Sequence, residues 1–216
     1  MAAADAHQYQ PRDGHGLAHD PFNSIVGPRP IGWISTVDAE GRRNLAPYSF
    51  FNAFNYTPPI VGFASTGWKD TVANIQATGV FCWNLATRDL AAAMNITSAP
   101  AAPGQDEFEL AGLTPVAGGL VAAPRVLESP VNFECRLTQS FKLTKANGDE
   151  VETWMTFGEV VAVHIDRRLI RADGVYDAPA GEPILRWGGR GDYVAVEPSA
   201  LFEMIRPTKA DIPPAG

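Results

Sequence analysis

The stretch from Val131 to Ile165 constrains the fold more than any other part of this 216-residue chain. Val131, Phe133, Cys135, Leu137, Phe141 and Leu143 alternate with Asn132, Glu134, Arg136, Thr138, Ser140 and Lys142. A period of two places one set of side chains on each face of an extended strand. Asn147-Gly148 then supplies a pair that accepts a tight hairpin turn, and Val151 to Ile165 runs back. Two long strands joined in this way form an antiparallel hairpin whose register is set by its apolar face. On the return strand Val161, Val163 and Ile165 share one face, and His164 points the other way with Val160 and Ala162.

The rest of the chain reads as shorter pieces of the same kind. Ile31-Gly-Trp-Ile-Ser-Thr-Val37 is a strand ended by the turn Asp38-Ala-Glu-Gly41, and Asn44-Leu-Ala-Pro-Tyr-Ser-Phe-Phe51 returns. Pro47 has no amide hydrogen to give a ladder, so this second segment belongs at an edge or a bulge. Ile60 to Ala64 follows as a third strand. Trp68, Val72, Ile75 and Gly79 then fall at helical spacing, which predicts a helix over 69–77. Val80 to Ala86 is too apolar to be half exposed and reads as a central strand. Arg88 to Met94 reads as a second short helix with Thr87 as its N-cap. Residues 97–126 are rich in Ala, Pro and Gly, with Glu107 to Ala111 as the one periodic piece. Excursions of this length in a compact domain are functional or interfacial.

Six or seven strands and two short helices, without regular β–α alternation, exclude a doubly wound sheet. They predict a mainly β protein, an antiparallel barrel with short helical insertions. Residues 1–20 read as a polar arm, 21–206 as a single domain and 207–216 as a tail. The arm carries His7, His15 and His19, but Gly14 and Gly16 break the helix that would align His15 and His19 on a metal, so no metal site is expected.

A net charge of −7 and a pI near 5.0 leave no broad basic face for nucleic acid or an anionic membrane. Nothing approaches the roughly 20 apolar residues of a spanning helix, and the opening MAAADAHQYQ has neither the cationic start nor the apolar run of a secretory signal. A cytoplasmic location is expected. Cys82 and Cys135 belong to no CxxC pair and read as two buried thiols in a reducing compartment.

Chemistry concentrates in Ser65-Thr-Gly-Trp-Lys-Asp-Thr71, at the junction of a strand and a helix. Ser65, Thr66 and Thr71 bring hydroxyls, Gly67 allows close backbone approach and Lys69 brings a positive charge. A helix start with these groups suits a nucleotide phosphate; the same residues also suit a plain helix start with a surface lysine. Gly188-Gly-Arg-Gly191 is not followed by a βαβ unit and there is no Walker or GxGxxG loop, so no Rossmann domain is expected. With no GxSxG elbow and only His164 inside the ordered region, chemistry carried by a cofactor fits better than a hydrolase.

The order of several segments resembles the flavin reductase-like, FMN-binding split-barrel family. These are Pro28-Arg-Pro-Ile-Gly-Trp-Ile-Ser-Thr36, Asn44 to Phe51, Pro58-Pro59, Lys69-Asp-Thr71 with Asn74-Ile75, and Asn84. Glu128-Ser-Pro130, Phe133-Glu-Cys135, Gly158-Glu-Val160, His164-Ile-Asp166 and Arg186-Trp-Gly-Gly189 with Tyr193 continue it, so the likeness spans residues 20–206. The resemblance implies a split antiparallel β-barrel that forms a homodimer and holds FMN near the subunit interface. It implies that Ala46, Pro47, Tyr48 and Ser49 line the flavin, that Ser65, Thr66, Lys69 and Thr71 hold its phosphate, and that Asn84 reaches the ring or the ribityl chain; Asn84 reads also as a neutral strand asparagine that meets only hydrogen-bonded partners. NADH or NADPH would be the transient substrate, with a monooxygenase as partner for the reduced flavin. A non-enzymatic FMN-binding electron carrier is the alternative. His164, Arg186 and Tyr193 are the candidates for receiving the nicotinamide. His164 reads equally as an outward barrel histidine, and Arg186 as a surface ion pair. Arg186 and Tyr193 also stand where some reductases carry a His-Arg-Gly sequence. The aromatic stretch Phe50 to Tyr56 suits either a dimer contact or the core.

Overall fold

The computed structural model describes residues 6–101 and 105–208; of the expected arm and tail, residues 1–5 and 209–216 lie outside the described residues. A short helix α1 (Phe22–Ile25) precedes β1 (Arg29–Pro30), β2 (Gly32–Val37), β3 (Arg43–Tyr48), β4 (Phe51–Tyr56) and β5 (Pro59–Thr66). Next come α2 (Asp70–Thr78), β6 (Val80–Asn84), α3 (Ala91–Ile96), α4 (Glu107–Leu110) and a small pair, β7 (Pro115–Val116) with β8 (Arg125–Val126). The long hairpin is β9 (Val131–Thr144) and β10 (Glu150–Ile165), and the chain then forms β11 (Ile184–Arg186) and β12 (Tyr193–Ala195).

The β9–β10 hairpin organises everything else. Seven antiparallel strands run in the order β3-β2-β6-β9-β10-β5-β4, so the hairpin sits in the middle of the sheet. Register shifts between Phe157 and Gly158 and between Val160 and Ala162 mark bulges that bend β10. At Gly158 a β-carbon would meet the ring of Phe81, so the missing side chain is what lets that ring pack against the bend. The end strands β3 and β4 follow one another in the chain through Ser49-Phe50, which ties the two ends of the sheet together, and the Ala64 amide donates to the Phe50 carbonyl (2.9 Å) to extend the β4–β5 ladder up to that bend. The result is a split antiparallel β-barrel.

Both faces of its central strands are covered, which is why β2 and β6 read as nearly continuous apolar runs. Inside the barrel Ile34, Phe63, Ile75, Phe81, Trp83 and Cys135 form one core, with α2 contributing Ile75. Outside it Trp33, Leu45, Met94, Phe108, Val126 and Ile184 form a second core beneath α3, α4 and β11. Trp33 and Ile34 are neighbours in sequence and belong to different cores, as alternation along a strand requires. Cys82 and Cys135 are both buried free thiols, and burial pushes both thiols up.

Three expectations change. The second segment does not run unbroken to Phe51: the chain bends at Ser49-Phe50 and starts β4, which pairs with β5 as the outermost strand. With a neighbour on one side only, five of its six residues are exposed, including Tyr56 at 92%. The helix expected at 88–94 lies at Ala91–Ile96, and the Thr87 hydroxyl instead accepts from the Leu90 amide (3.4 Å) in the turn ahead of it. The excursion after residue 97 also contains the β7–β8 pair. No helix among the described residues is long and apolar enough to cross a membrane.

Candidate functional site

Helix α2 begins one residue later than the spacing predicts and ends at Gly79, whose left-handed φ of 72° lets its amide return to the Ile75 carbonyl (2.8 Å). Its other end is left open. Lys69 occupies the N-cap position and no side chain caps the helix there. A helix start without a capping side chain presents unsatisfied N–H groups and the positive end of the dipole. The Lys69 ammonium stands at the same place, and among the described residues it makes no ion pair.

This helix start forms one wall of a cavity of about 550 Å³. Ala46, Pro47, Tyr48 and Ser49 form a second wall, from the edge strand β3 and the bend after it. Thr66 on β5 joins Lys69 and Thr71. Seven of the eight residues assigned to flavin contact on β3, β5 and α2 therefore meet in one place. Ser65 lies underneath, its hydroxyl donating to the Gly67 carbonyl (3.1 Å) and shaping the turn into α2.

The polar groups of the cavity are oriented but not saturated. Asn44 donates through Nδ2 to the Thr71 hydroxyl (2.9 Å) and the Thr36 hydroxyl (3.3 Å), and Asn74 donates to Thr36 as well (3.1 Å). Thr71 is thus held as an acceptor from below, with its own hydroxyl proton free to be donated. The Tyr48 hydroxyl is buried and faces the hydroxyls of Thr71 and Ser65, yet no described group completes a hydrogen bond to it. Burial pushes the Tyr48 phenol up, so it stays a donor. An unpaired buried hydroxyl costs roughly 1–3 kcal/mol. The donor set fits the phosphate-bearing end of a flavin mononucleotide.

Glu107, which sequence reasoning did not single out, closes the far side. Its carboxylate accepts from the Leu45 amide (3.1 Å) and covers part of the open edge of β3. Burial pushes this carboxyl up, and the charges of Asp106 and Asp70 act in the same direction against the Leu45 N–H. Arg43 pairs with Asp106, whose side chain also caps α4 through the Phe108 amide (2.9 Å). Thr97 and Ser98 line the same cavity. The only sign of this wall in the sequence is the length of the 97–126 excursion and the periodic piece at 107–111.

The remaining candidates lie elsewhere. Asn84 does not reach the cavity: it is fully buried and all four hydrogen-bonding positions of its amide are taken by the protein. Its nitrogen donates to the Trp33 carbonyl and the Ser35 hydroxyl (both 3.1 Å), and its oxygen accepts from the Val126 amide and from Asn132 (both 2.9 Å). His164 bonds to Glu134 (2.6 Å), and Glu134 also accepts from the amides of Gly119, Leu120 and Val121. Arg186 and Tyr193 line a different cavity, beside α3, so the three residues expected to receive a nicotinamide are not brought together. Among the described residues Arg186 makes no surface ion pair; its guanidinium binds backbone carbonyls. Among the described residues, no group of three His, Cys, Asp or Glu side chains is arranged to hold a metal ion.

Residues 27–180 match the flavin reductase-like domain family. A protein of Aquifex aeolicus is 34% identical over 171 residues, covering 77% of this chain and 84% of that one. Nitrilotriacetate monooxygenase component B from Bacillus cereus superposes with a TM-score of 0.79 at 28% identity, over 94% of this chain and 98% of that one. The 2-nitrobenzoate 2-nitroreductase of Pseudomonas fluorescens gives 0.76 at 28% identity, over 90% and 92%.

Proposed function

This chain belongs to the flavin reductase-like domain family, and from that premise we propose that it is a flavin reductase that holds FMN between β3, β5 and α2 and uses NADH or NADPH as donor. One observation carries the reading. The free Lys69 ammonium, the α2 start without a side-chain cap and the side chains of Thr66 and Thr71 converge on a single cavity. When bound, FMN would supply the hydride-accepting and electron-transferring chemistry that the side chains lack.

The residues of the chain do the rest. Lys69, Thr66 and Thr71 hold the phosphate, with the α2 dipole adding to the attraction. Asn44 keeps the Thr71 hydroxyl turned so that its proton points to the ligand. Ala46 to Ser49 line the ring from β3, an edge strand, and from the bend after it. The exposed edge strand β4, with Phe54 and Tyr56 outward, receives a second copy of the chain. The likeness to a monooxygenase component supports an oxygenase that consumes the reduced flavin as the acceptor.

The test is a pair of binding measurements. Lys69→Ala should weaken FMN at least tenfold and leave riboflavin, which lacks the phosphate, within twofold. Equal losses for both ligands would place Lys69 away from the phosphate. Anaerobic mixing of the FMN-loaded protein with NADH and with NADPH should bleach the flavin; no bleaching with either donor would leave an electron carrier.

A further inference from the structure

The segment from Ala91 to Ala101 borders two cavities. Thr97 and Ser98 line the flavin pocket, while Met94 and Asn95, two to four residues earlier, line a second cavity of about 620 Å³. The opposite wall of this second cavity is the β11–β12 ribbon and the loop within it. Among the described residues, its charged lining groups are Arg88, Arg186 and Arg190, and no carboxylate lines it. In a chain of net charge −7 this is a local reversal of sign.

The three arginines are not equivalent. Arg186 donates to the carbonyls of Gly188 (3.0 Å), Asp192 (2.7 Å) and Gly189 (3.1 Å), and its guanidinium lies 5.1 Å from the centre of the Tyr193 ring. It therefore fixes the turn that carries Arg190 to the cavity. Arg88 and Arg190 make no ion pair or side-chain hydrogen bond with the described residues. A fourth cation stands behind them: Arg29 faces Arg186 directly across the β1–β11 ladder, and its guanidinium is bound by the carbonyls of Ser49, Asn23, Val26 and Trp187. Like charges directly opposite in a sheet are unfavourable. An anion in front of Arg88 and Arg190 would offset that repulsion. The floor, by contrast, is apolar, with Met94 and Ile184 buried, and Tyr193 offers a partly exposed aromatic wall.

Two free guanidinium forks above an apolar and aromatic floor suit a phosphate carried on a flat, weakly polar body. We propose that this cavity binds the phosphate-bearing adenosine half of the nicotinamide donor, with Arg88 and Arg190 as the phosphate ligands. The proposal rests on the reductase reading, because it takes the ligand to be a dinucleotide whose other half reaches the flavin pocket past Asn95 and Thr97. Arg186 is then a positioning residue, acting through the loop it holds. The phosphate met by Arg88 and Arg190 is either the pyrophosphate common to both donors or the 2′-phosphate found only in NADPH.

The experiment is isothermal titration of the full, FMN-loaded chain with adenosine 2′,5′-bisphosphate and with ADP. Saturable binding is expected, weakened several-fold between 50 and 200 mM salt as the charges are screened. The double substitution Arg88→Ala with Arg190→Ala should weaken it at least tenfold while FMN affinity stays within twofold. Both side chains are exposed, and an unchanged thermal midpoint confirms that the variant folds. Binding of the bisphosphate alone assigns the 2′-phosphate; comparable binding of ADP assigns the pyrophosphate. Absence of saturable binding by either nucleotide overturns the proposal, and so does binding that the double substitution leaves intact or that free FMN displaces. Arginine-dependent binding with no bleaching of the flavin by either donor would overturn the reductase reading while the anion site stands.

Discussion

Two polar clusters inside this barrel contain similar residues and have opposite characters. On β6 and β9, Asn84, Asn132 and Glu134 bond almost entirely to protein groups, and the Glu134 carboxylate alone takes three amides and the His164 ring. Between β3, β5 and α2, Asn44, Tyr48, Lys69 and Thr71 are held in place but left short of partners. The first cluster is closed and specifies the packing of β6, β9 and the 118–121 loop. The second remains open for a ligand. What separates a structural polar group from a binding one here is the number of hydrogen-bonding positions the fold leaves vacant, not the residue type.

The comparison breaks most visibly at Glu134. Burial pushes this carboxyl up, but the Gly119 amide, the His164 ring and the amides of Leu120 and Val121 outweigh burial and hold it down to about 2. A carboxyl depressed in the folded state stabilises it above the unfolded value, and that contribution is lost as pH falls. Here the window runs from the unfolded value of about 4.3 down to about 2, and it is worth on the order of 3 kcal/mol. Glu134→Gln keeps the size but offers one acceptor oxygen to four donors. Urea unfolding at pH 7 should show a loss of about 3 kcal/mol, with FMN affinity unchanged in the folded fraction. A loss below about 1 kcal/mol would mean that the 118–121 loop is held by something else.

The open cluster should respond in the opposite sense. Tyr48→Phe removes the hydroxyl that has no partner. Without flavin the variant should therefore be as stable as the parent or up to about 1 kcal/mol more stable, while its FMN affinity falls about tenfold, the worth of a hydrogen bond to a charged group. A destabilised apo form with full FMN affinity would show that the hydroxyl is bonded within the protein and contributes nothing to the ligand. Thermal melts with and without FMN separate the two outcomes, because only the bound state should lose stability.

How much of this was legible beforehand follows the same division. The β9–β10 hairpin, the central position of β6 and helix α2 were readable because each is fixed by local periodicity and a turn or cap. That the residues of the cavity wall lie together was readable because strand, turn and helix start follow one another within 44–71. The two readings of Asn84 were not separable for a physical reason: an asparagine at the end of an apolar strand looks the same whether it meets a ligand or Val126 and Asn132. Those partners lie 42 and 48 residues away, and nothing near Asn84 encodes them. Glu107 was missed likewise, since its partner is the amide of Leu45, 62 residues earlier. The split of the 44–51 segment into β3 and β4 depends on the pairing of β4 with β5, which is also tertiary.

Glu107 gives the smallest expected effect and the sharpest edge to the comparison, because it belongs to the open cluster but is bonded like a member of the closed one. Its carboxyl is pushed up by burial and by Asp106 and Asp70, the reverse of Glu134. A carboxyl raised in the folded state contributes stability that is fully present below its unfolded value and lost as pH rises through its folded value. Glu107→Gln retains an acceptor for the Leu45 amide and cannot ionise. The variant should match the parent near pH 4 and exceed it at pH 8 by no more than about 1 kcal/mol, because the parent's carboxylate still keeps that amide as donor. Urea midpoints of the apo protein at the two pH values measure this difference. If the Gln variant is less stable than the parent at pH 8, the ionised carboxylate is itself stabilised at that edge of β3, and Glu107 belongs with Glu134 among the closed groups.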